Sequence, residues 1–399
     1  MSKQDRLFLS ILALSVLLPL SVYLGLSFSV EATSFINVYG EPRNSYPTAA
    51  ASLFGYDLTD RITWNDETDY TTPGTYELIG EVTVFGMKKQ VTLPSLVLDM
   101  EAPTLTVDEA IIFTRVGEPW TLPSYEVTDN YDLPEAITVT MGMEGESVPT
   151  AEGLAETFLR ACDTSGNCTQ RSVSAMVGSA REEDFLPGSF DLYALDTHEV
   201  LLKPGETPVS DAIFSELYWI GDSNILNLGL YGGLPSSRVI ARYAMGPMTF
   251  DLPIYYRNVL QNKTTEELIK EIQPERVILM MGEAEAGSGD PLALTEAYGQ
   301  CIDRLHSVSP STEIIVGSIL PIRKGSTEAA ASQEEINRVN YCLLRMCEEK
   351  YLPMICTNEW LMGEDGYGIS DYYLEDGFHL QASHFPALTD YVRYALDEE

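Results

Sequence analysis

A serine that follows a short apolar run is the first residue in this chain whose surroundings could support chemistry. The apolar run ends at Ile220, Gly221, Asp222 and Ser223 come next, and apolar residues then recur at helical spacing up to Leu230. This pattern predicts a buried strand, a sharp turn and a short helix. A serine at such a turn has its hydroxyl at the sheet edge and its N–H at a helix start, where an oxyanion can be held. Ser223 is therefore a candidate nucleophile and a candidate oxyanion donor.

Near the carboxyl terminus, a carboxylate precedes a histidine by a short and fixed spacing. Asp376 comes three residues before His379, with Gly377 and Phe378 between them. One tight turn can bring this carboxylate to the ring nitrogen that faces away from a serine. We therefore expect His379 to be the general base for Ser223, and Asp376 to orient it.

The chain has four histidines, and the other three are weaker candidates. His198 lies in a polar stretch, and His306 lies on a predicted helix away from any strand end. His384 is the rival base, but no carboxylate precedes it at a short fixed spacing.

Four sequence blocks resemble, in chain order, those of the SGNH (GDSL-type) hydrolase superfamily. They are Gly221-Asp222-Ser223 after one strand, Gly246 after a second strand, Gly282 after a third, and Asp376-Gly377-Phe378-His379 near the end. The resemblance covers residues 211–399 and implies a flavodoxin-like α/β/α sandwich that hydrolyses esters or transfers acyl groups. It also implies a Ser223, His379 and Asp376 triad, with the N–H groups of Ser223 and Gly246 as the oxyanion hole.

The third block departs from the family pattern. The family places an asparagine two residues after the glycine, and its amide donates to the oxyanion, but here Ala284 follows Gly282 at that spacing. Alanine cannot donate, and the loss of one oxyanion donor typically costs about 100-fold to 1000-fold in rate. Asn224 or a neighbouring residue could take its place, although no sequence feature identifies one.

Strand and helix patterns alternate through residues 211–399. Such alternation predicts a parallel sheet with both faces covered, and sites in such sheets gather at the carboxyl ends of the strands. The predicted strands are 216–220, 239–241, 276–281, 313–319 and 352–356, and the clearest predicted helices are 265–272, 292–306 and 333–351.

The composition restricts the partners of this chain. Its 399 residues include 60 acidic and 24 basic side chains, which gives a net charge of −36. Phosphate contacts require lysine and arginine, so nucleic acid and an anionic membrane surface are excluded as expected partners. The acidic residues are spread along the chain, as is typical of a solvated surface.

The amino end is apolar. Residues 7–30 carry no charge and are long enough to cross the roughly 30 Å hydrocarbon core of a bilayer. Lys3 and Arg6 precede this stretch, so the positive-inside rule leaves the amino end in the cytoplasm and exports the rest. We expect residues 1–33 to form a cytoplasmic tip and a transmembrane anchor; a signal peptide cleaved near Ala32 is the alternative, with secretion as its result.

Short alternating apolar runs with turn signals fill the region after this stretch, as is typical of β-sandwiches. We expect one module over 34–99, a second over 100–178, and a linker with a lead-in to the hydrolase over 179–210. The second module resembles bacterial Ig-like modules of surface proteins through Glu101-Ala102-Pro103, Thr128-Asp129-Asn130-Tyr131-Asp132 and Asp163-Thr164-Ser165-Gly166-Asn167. The first resembles a related module through Gly55-Tyr56-Asp57-Leu58-Thr59 and Thr72-Pro73-Gly74-Thr75-Tyr76. The resemblance implies spacers or weak binders.

Cysteine spacing points to one disulfide. Cys162 and Cys168 bracket a turn-rich loop of five residues, which would place their sulfurs opposite each other on a hairpin. The remaining cysteines lack the paired close spacing of a zinc site and are expected to be buried as small apolar residues: Cys301, Cys342, Cys347 and Cys356.

No metal or cofactor is expected. Asp129, Asp132 and Asp163 could together hold a calcium ion, but aspartates are also common turn residues, and we favour that role for them. The ester chemistry that the resemblance implies needs no cofactor.

Two functions from different classes fit the sequence. The first is a cell-surface esterase or acyltransferase that acts on small acyl groups, such as acetyl, of envelope or extracellular glycans. The second is a surface binding module with an SGNH-like fold that holds a glycan or protein without turning it over, and Ala284 motivates it.

Overall fold

The computed structural model describes residues 3–41, 43, 45–107, 111–142, 148–231 and 233–396. The chain forms two compact units. Unit 1 comprises Met1–Thr106, Tyr125–Thr140 and Arg160–Arg171, and unit 2 comprises Val107–Ser124, Met141–Leu159 and Ser172–Glu399. The predicted module 100–178 thus contributes residues to both units.

Unit 1 begins with helix α1 (Lys3–Gly25), which is long and apolar enough to cross a membrane. All eight of its leucine side chains are exposed, so the described residues leave its apolar surface uncovered. The helix ends at Gly25, before the uncharged stretch 7–30 ends, because Leu26–Val30 forms strand β1 and pairs with residues 49–53. Its sequence, Leu-Ser-Phe-Ser-Val, alternates with the period of a strand, and Leu26 is buried against Val82 and Val84.

Residues 26–178 are built mainly of strands. These are β1 (Leu26–Val30), β2 (Phe35–Val38), β3 (Ala49–Leu53), β4 (Tyr56–Asp57), β5 (Ile62–Asp66), β6 (Gly74–Val84), β7 (Met87–Leu98), β8 (Thr104–Val107), β9 (Ile111–Arg115), β10 (Tyr125–Thr128), β11 (Thr138–Gly142), β12 (Gly153–Cys162) and β13 (Cys168–Gly178). They form sheets of order β1-β3-β4, β2-β7-β6-β5, β10-β8 and β11-β12-β13-β9. The predicted β structure is confirmed, and the Ig-like assignment stays a prediction.

Alternation of buried and exposed residues explains why these strands pack. Along β6, Leu78, Val82 and Val84 are buried, while Glu77 and Thr83 are exposed. Period-two alternation places these apolar side chains on one face of the sheet, where they can pack away from water.

Unit 2 contains the remaining helices and strands. The helices are α2 (Leu192–Leu195), α3 (Asp211–Glu216), α4 (Ser223–Tyr231), α5 (Thr265–Ile272), α6 (Glu283–Ala286), α7 (Pro291–Val308), α8 (Gln333–Lys350), α9 (Asn358–Leu361) and α10 (Phe385–Ala395). The strands are β14 (Leu201–Leu202), β15 (Tyr218–Gly221), β16 (Val239–Ala241), β17 (Tyr255–Tyr256), β18 (Val259–Leu260), β19 (Arg276–Met280), β20 (Glu313–Gly317) and β21 (Met354–Ile355).

These strands form one sheet of order β14-β21-β20-β19-β15-β16-β17-β18. The strands from β14 to β16 are parallel, whereas β17 and β18 are antiparallel, so the expectation of a wholly parallel sheet was wrong at this edge. A two-residue turn joins β17 to β18, and both of its residues, Arg257 and Asn258, have positive φ, at 53° and 62°.

Both faces of this sheet are covered by helices. Along β19, Ile278 packs in a cluster with residues of α4 and α10, while Val277 and Leu279 pack in a cluster with residues of α5, α7 and α8. Successive side chains of a central strand point into apolar layers on opposite faces of the sheet. The sequence of such a strand is therefore a continuous apolar run. The expected three-layer α/β/α arrangement is therefore observed.

Residues 179–210 do not form a separate linker. β14 pairs in parallel with β21, and Phe185 is fully buried against Phe113 and Tyr341, all within unit 2. The polar composition of this stretch concealed the few apolar residues that attach it to the sheet.

The predicted disulfide is present. It joins Cys162 at the end of β12 to Cys168 at the start of β13 and closes the hairpin between them. The other cysteines are buried with free thiols, as expected.

Loss of this disulfide is expected to destabilise unit 1. Replacement of Cys162 and Cys168 by alanine should lower the free energy of unfolding by about 2 kcal/mol, because the unfolded chain loses the constraint of a short closed loop. Denaturant unfolding of the double variant and the parent, both without reductant, measures this effect. The Cys301→Ala variant is a control for the loss of a thiol, and equal stability of the double variant and the parent would contradict the expectation.

Candidate active site

The candidate site lies where the sheet order places a crevice. From β15 the chain proceeds to β16 on one side, and later returns to β19 on the other side. Such a change of direction opens a crevice at the carboxyl end of the strand between them. Ser223 is the second residue after the end of β15, with Asp222 between them, so it lies at this switch point.

The turn before Ser223 requires a glycine. A Cβ atom at Gly221 would lie 2.1 Å from the carbonyl oxygen of Met280 and 2.5 Å from the Ile225 side chain. This close approach lets β15 end beside β19 and α4 begin at once. Ser223 is the first residue of α4, where its N–H has no carbonyl partner within the helix.

A tight turn presents His379. Gly377, with φ +81°, donates its N–H to the Leu374 carbonyl at 3.0 Å, and the Leu374 N–H donates to the His379 carbonyl at 2.8 Å. Asp376 Oδ1 accepts the N–H groups of Phe378 and His379 at 3.1 and 3.0 Å. The carboxylate thus fixes the loop through one oxygen and leaves the other for the imidazole.

The structure brings Ser223, His379 and Asp376 together. His379 Nε2 lies 2.8 Å from Ser223 Oγ, and His379 Nδ1 lies 2.9 Å from Asp376 Oδ2. With the proton on Nδ1 donated to Asp376, Nε2 accepts the serine hydroxyl, which is the arrangement of a general base and its nucleophile. Burial raises the pKa of Asp376, but hydrogen bonds from His379 and Phe378 outweigh it, so the net pKa lies below the ordinary value.

Asn224 connects the two parts of this site, a role that the sequence did not reveal. Its Nδ2 donates to the Phe378 carbonyl at 3.1 Å, and its Oδ1 accepts the Leu380 N–H at 3.0 Å. Because these bonds flank His379 on both sides, they hold the histidine loop against the start of α4. Asn224 is therefore directed to this loop and is not the substitute oxyanion donor that the sequence left open.

The donors expected for an oxyanion are sparse. The Gly246 N–H donates to Thr249 Oγ1 at 3.0 Å, so the structure uses it within its own loop. Ala284 is exposed at the position where the resemblance calls for an asparagine. The Glu285 carboxylate packs against Gly246, where an added Cβ would meet it at 2.4 Å.

Three carboxyl groups with raised pKa values lie on the segments that form this site. Burial is the main cause that raises the pKa of Asp222 to about 7, and the nearby Glu283 adds to it, while N–H donors at the start of α4 oppose it. Burial likewise raises the pKa of Glu283, which accepts a long hydrogen bond of 3.4 Å from the Ala330 N–H. Burial also raises the pKa of Glu285, whose Oε1 has no hydrogen-bond partner in the described structure.

The other histidines do not join this site. The His384 ring stacks on Tyr372, with 4.4 Å between the ring centroids. His198 lies 3.4 Å from Glu348, and its ring is bonded to Thr197. Among the described residues, the acidic cluster close enough to share a metal ion belongs to unit 1 and includes none of this site's residues.

Comparison with known proteins gives limited similarity. No protein-family model and no curated protein matches the sequence. Among solved structures, a GDSL-like lipase from Bacteroides thetaiotaomicron is 11% identical, with 47% of this chain and 89% of that chain covered and a TM-score of 0.35. A carbohydrate esterase family 3 protein from Talaromyces cellulolyticus is 12% identical, with 44% and 93% covered and a TM-score of 0.30.

A third solved structure, a peptidoglycan O-acetylesterase, is 13% identical, with 32% of this chain and 39% of that chain covered and a TM-score of 0.28. All three neighbours are lipases or esterases. Identities and TM-scores this low do not assign a function to this chain.

The Asn224 bridge should matter more for catalysis than for binding. In the Asn224→Ala variant, the His379 loop loses the two hydrogen bonds that hold it to α4, so kcat for an ester substrate should fall by roughly 10-fold to 100-fold while KM changes little. Steady-state kinetics measures both constants. Asn258→Ala removes an amide bonded to the Gly229 carbonyl of the same helix and is the matched control. A change confined to KM would show that the bridge does not position the base.

Asp222 should give the stability of unit 2 a characteristic dependence on pH. Its folded pKa of about 7 lies above the unfolded value near 4, so its stabilising contribution is full below pH 4 and is lost as pH rises toward 7. The Asp222→Asn variant cannot ionise there. The free energy of unfolding of the variant minus that of the parent should therefore increase by a few kcal/mol as pH rises from 4 to 8.

Denaturant unfolding at several pH values measures this difference, and any constant local cost of the substitution cancels. Glu296→Gln, on the outward part of α7, is a control for the loss of one negative charge. A parent-to-variant difference that does not change with pH would contradict the expectation.

Proposed function

We propose that this chain is a serine esterase or acyltransferase that acts on small, acetyl-type acyl esters. The observation that carries the proposal is the unbroken hydrogen-bond relay from Asp376 through His379 to Ser223. Each member is the residue type that the corresponding step needs, and both distances are those of normal hydrogen bonds.

The geometry supports a two-step reaction. Ser223 Oγ attacks the ester carbonyl while His379 Nε2 takes its proton, and the alcohol leaves with that proton. Water, or another hydroxyl in a transfer reaction, then attacks the acyl-serine with His379 again as base, and Ser223 is restored. Asp376 stays ionised and holds the imidazole in the required tautomer. No cofactor is needed for either step.

The size and charge of the site favour small, neutral acyl groups. Ser223 is only 8% exposed, so a bulky acyl chain would have to displace neighbouring residues. Asp222, Glu283 and Glu285 bring negative charge to the site whenever they are ionised, and this charge disfavours anionic acyl groups. An acetyl group satisfies both restrictions.

The proposed place of action is outside the cell membrane, on acylated glycans of the envelope or its surroundings. Support comes from α1, whose exposed apolar side chains require a bilayer or a signal-peptide pathway, and from Lys3 and Arg6 at its cytoplasmic side. We favour a single-pass anchor over a cleaved signal, and we propose that the β-rich segment acts as a stalk of two Ig-like modules.

A second candidate is a binding module with little or no turnover. Ala284 cannot donate to an oxyanion, and the Gly246 N–H is engaged by Thr249. If Ser223 N–H is the main remaining donor, the rate would be reduced by roughly 100-fold or more relative to a complete oxyanion hole.

Hydrolysis of an activated acetate ester tests the first candidate. The full-length protein in detergent should hydrolyse it, and Ser223→Ala should reduce the rate by about 1000-fold or more. His379→Ala should have a comparable effect, whereas His384→Ala should leave the rate within a factor of about two. Equal rates for the parent and Ser223→Ala would exclude Ser223 as the nucleophile.

A fluorophosphonate probe separates the two candidates. An activated serine is labelled covalently, so the parent should be labelled and Ser223→Ala should not. Glycan binding by an unlabelled parent protein would favour the binding module.

A further inference from the structure

Three aspartates lie close together in unit 1, at the segment between β7 and β8. This segment, residues 99–103, is called the joint below. Asp99 comes directly after β7, Asp129 directly after β10, and Asp163 directly after β12. One carboxylate oxygen from each lies within 4.8 Å of one from each of the others. The sequence analysis grouped Asp132 with Asp129 and Asp163. In the structure, Asp99 stands in this group and Asp132 does not.

Asp132 is occupied elsewhere. Its carboxylate accepts the Thr164 N–H at 2.7 Å and the Thr164 hydroxyl at 2.8 Å. These bonds tie two turns of the second module together. Asp163 also accepts hydrogen bonds at both of its oxygens, from the Asn167 N–H and from Asn167 Nδ2, each at 2.8 Å. Asp132 differs from Asp163 in that it does not belong to the cluster of mutually close carboxylates.

Asp99 has an oxygen that the protein does not satisfy. The residue is only 5% exposed. Its Oδ1 accepts the Glu101 N–H at 3.2 Å and the Asn130 Nδ2 at 3.1 Å, whereas its Oδ2 is buried without a hydrogen-bond partner. A buried carboxylate oxygen without a partner costs free energy, and such atoms are rare in folded proteins.

Asp129 repeats this arrangement. Its Oδ1 accepts the N–H groups of Tyr131 and Asp132 at 3.0 and 2.9 Å, and its Oδ2 is likewise buried without a partner. Among the ion pairs of the described residues, none joins Asp99, Asp129 or Asp163 to a lysine, arginine or histidine. Within the described residues, these three clustered carboxylates therefore have no side-chain cation paired with them.

We propose that Asp99, Asp129 and Asp163 bind a calcium ion. Carboxylate oxygens are hard ligands, and calcium accepts six to eight oxygens in flexible geometry, so water can complete its coordination. Magnesium demands near-ideal octahedral geometry and gives up its own water reluctantly, so this site of three carboxylates should prefer calcium.

Bound calcium would fasten the joint after β7 to two turns of the second module. Asn167 already connects the same parts, since its Nδ2 donates to the Asp99 carbonyl at 3.1 Å and to Asp163 Oδ2 at 2.8 Å. The disulfide between Cys162 and Cys168 closes the loop that carries Asp163 and Asn167. The ion would therefore stabilise a joint whose loop is already constrained covalently.

Calorimetric titration of the full-length, chelator-treated protein in detergent with calcium chloride tests the site. One calcium ion should bind, and the unfolding midpoint of unit 1 should rise by several degrees at saturating calcium. Asp99→Asn and Asp129→Asn should each weaken binding by about tenfold or more, because affinity follows the charge of the ligands. Magnesium should bind more weakly than calcium.

Two variants serve as controls. Asp69→Asn removes a charge from an exposed turn of the same unit, where Asp69 is bonded to Thr71, and should bind calcium as the parent does. Asp132→Asn should also retain binding, and a loss equal to that of Asp99→Asn would overturn this set of ligands.

Calcium titration of the parent protein tests the proposal even if a variant fails to fold. Absence of calcium binding by the folded parent up to about 10 mM, beyond the range of weak extracellular sites, would overturn it. Unchanged affinity in both Asp99→Asn and Asp129→Asn would do the same.

Discussion

The pair of hydrogen bonds made by the Asn224 amide is the constraint on which the candidate site depends. It joins the first turn of α4 to a loop 154 to 156 residues further along the chain. A base must lie within hydrogen-bond reach of its nucleophile, and an error of about 1 Å can cost 100-fold in rate. Arg323 and Ser326 also donate hydrogen bonds to carbonyls of this loop, but the Asn224 amide bonds it, on both sides of His379, to the helix that carries Ser223.

Two buried carboxyl groups, those of Asp222 and Glu283, lie near the start of α4. Asp222 is buried beside Glu283, and its raised pKa records the cost of holding a carboxylate there. The N–H groups at the start of α4 offset part of that cost, because helix starts favour negative groups. Unit 2 therefore accepts a local loss of stability at the place where Ser223 is presented, as is common at functional sites.

Local sequence patterns predicted the parts of the molecule that depend on nearby residues. The strand before Ser223, the long helices α7 and α8, the turn between Asp376 and His379, and the Cys162 to Cys168 disulfide all follow from spacing over a few residues. The parts that were missed depend on distant partners. β14 and β17 have only two residues each and carry no periodicity, and the roles of Asn224 and Asp99 are set by residues brought close only by folding. The structure ends α1 at Gly25, before the uncharged stretch ends, because Leu26–Val30 is also uncharged and only its alternation marks it as a strand.

The candidate site combines a complete hydrogen-bond relay from Asp376 through His379 to Ser223 with few oxyanion donors. This combination limits the substrates that such a site could turn over. Both the formation and the breakdown of an acyl-serine pass through tetrahedral oxyanions, so missing donors slow both steps. Amides have poor leaving groups and need strong stabilisation of that oxyanion, whereas esters react more readily. Ser223 and His379 at 2.8 Å provide the proton transfer that an ester requires, while Ala284 removes a donor on which an amide would depend. The geometry therefore favours ester over peptide substrates.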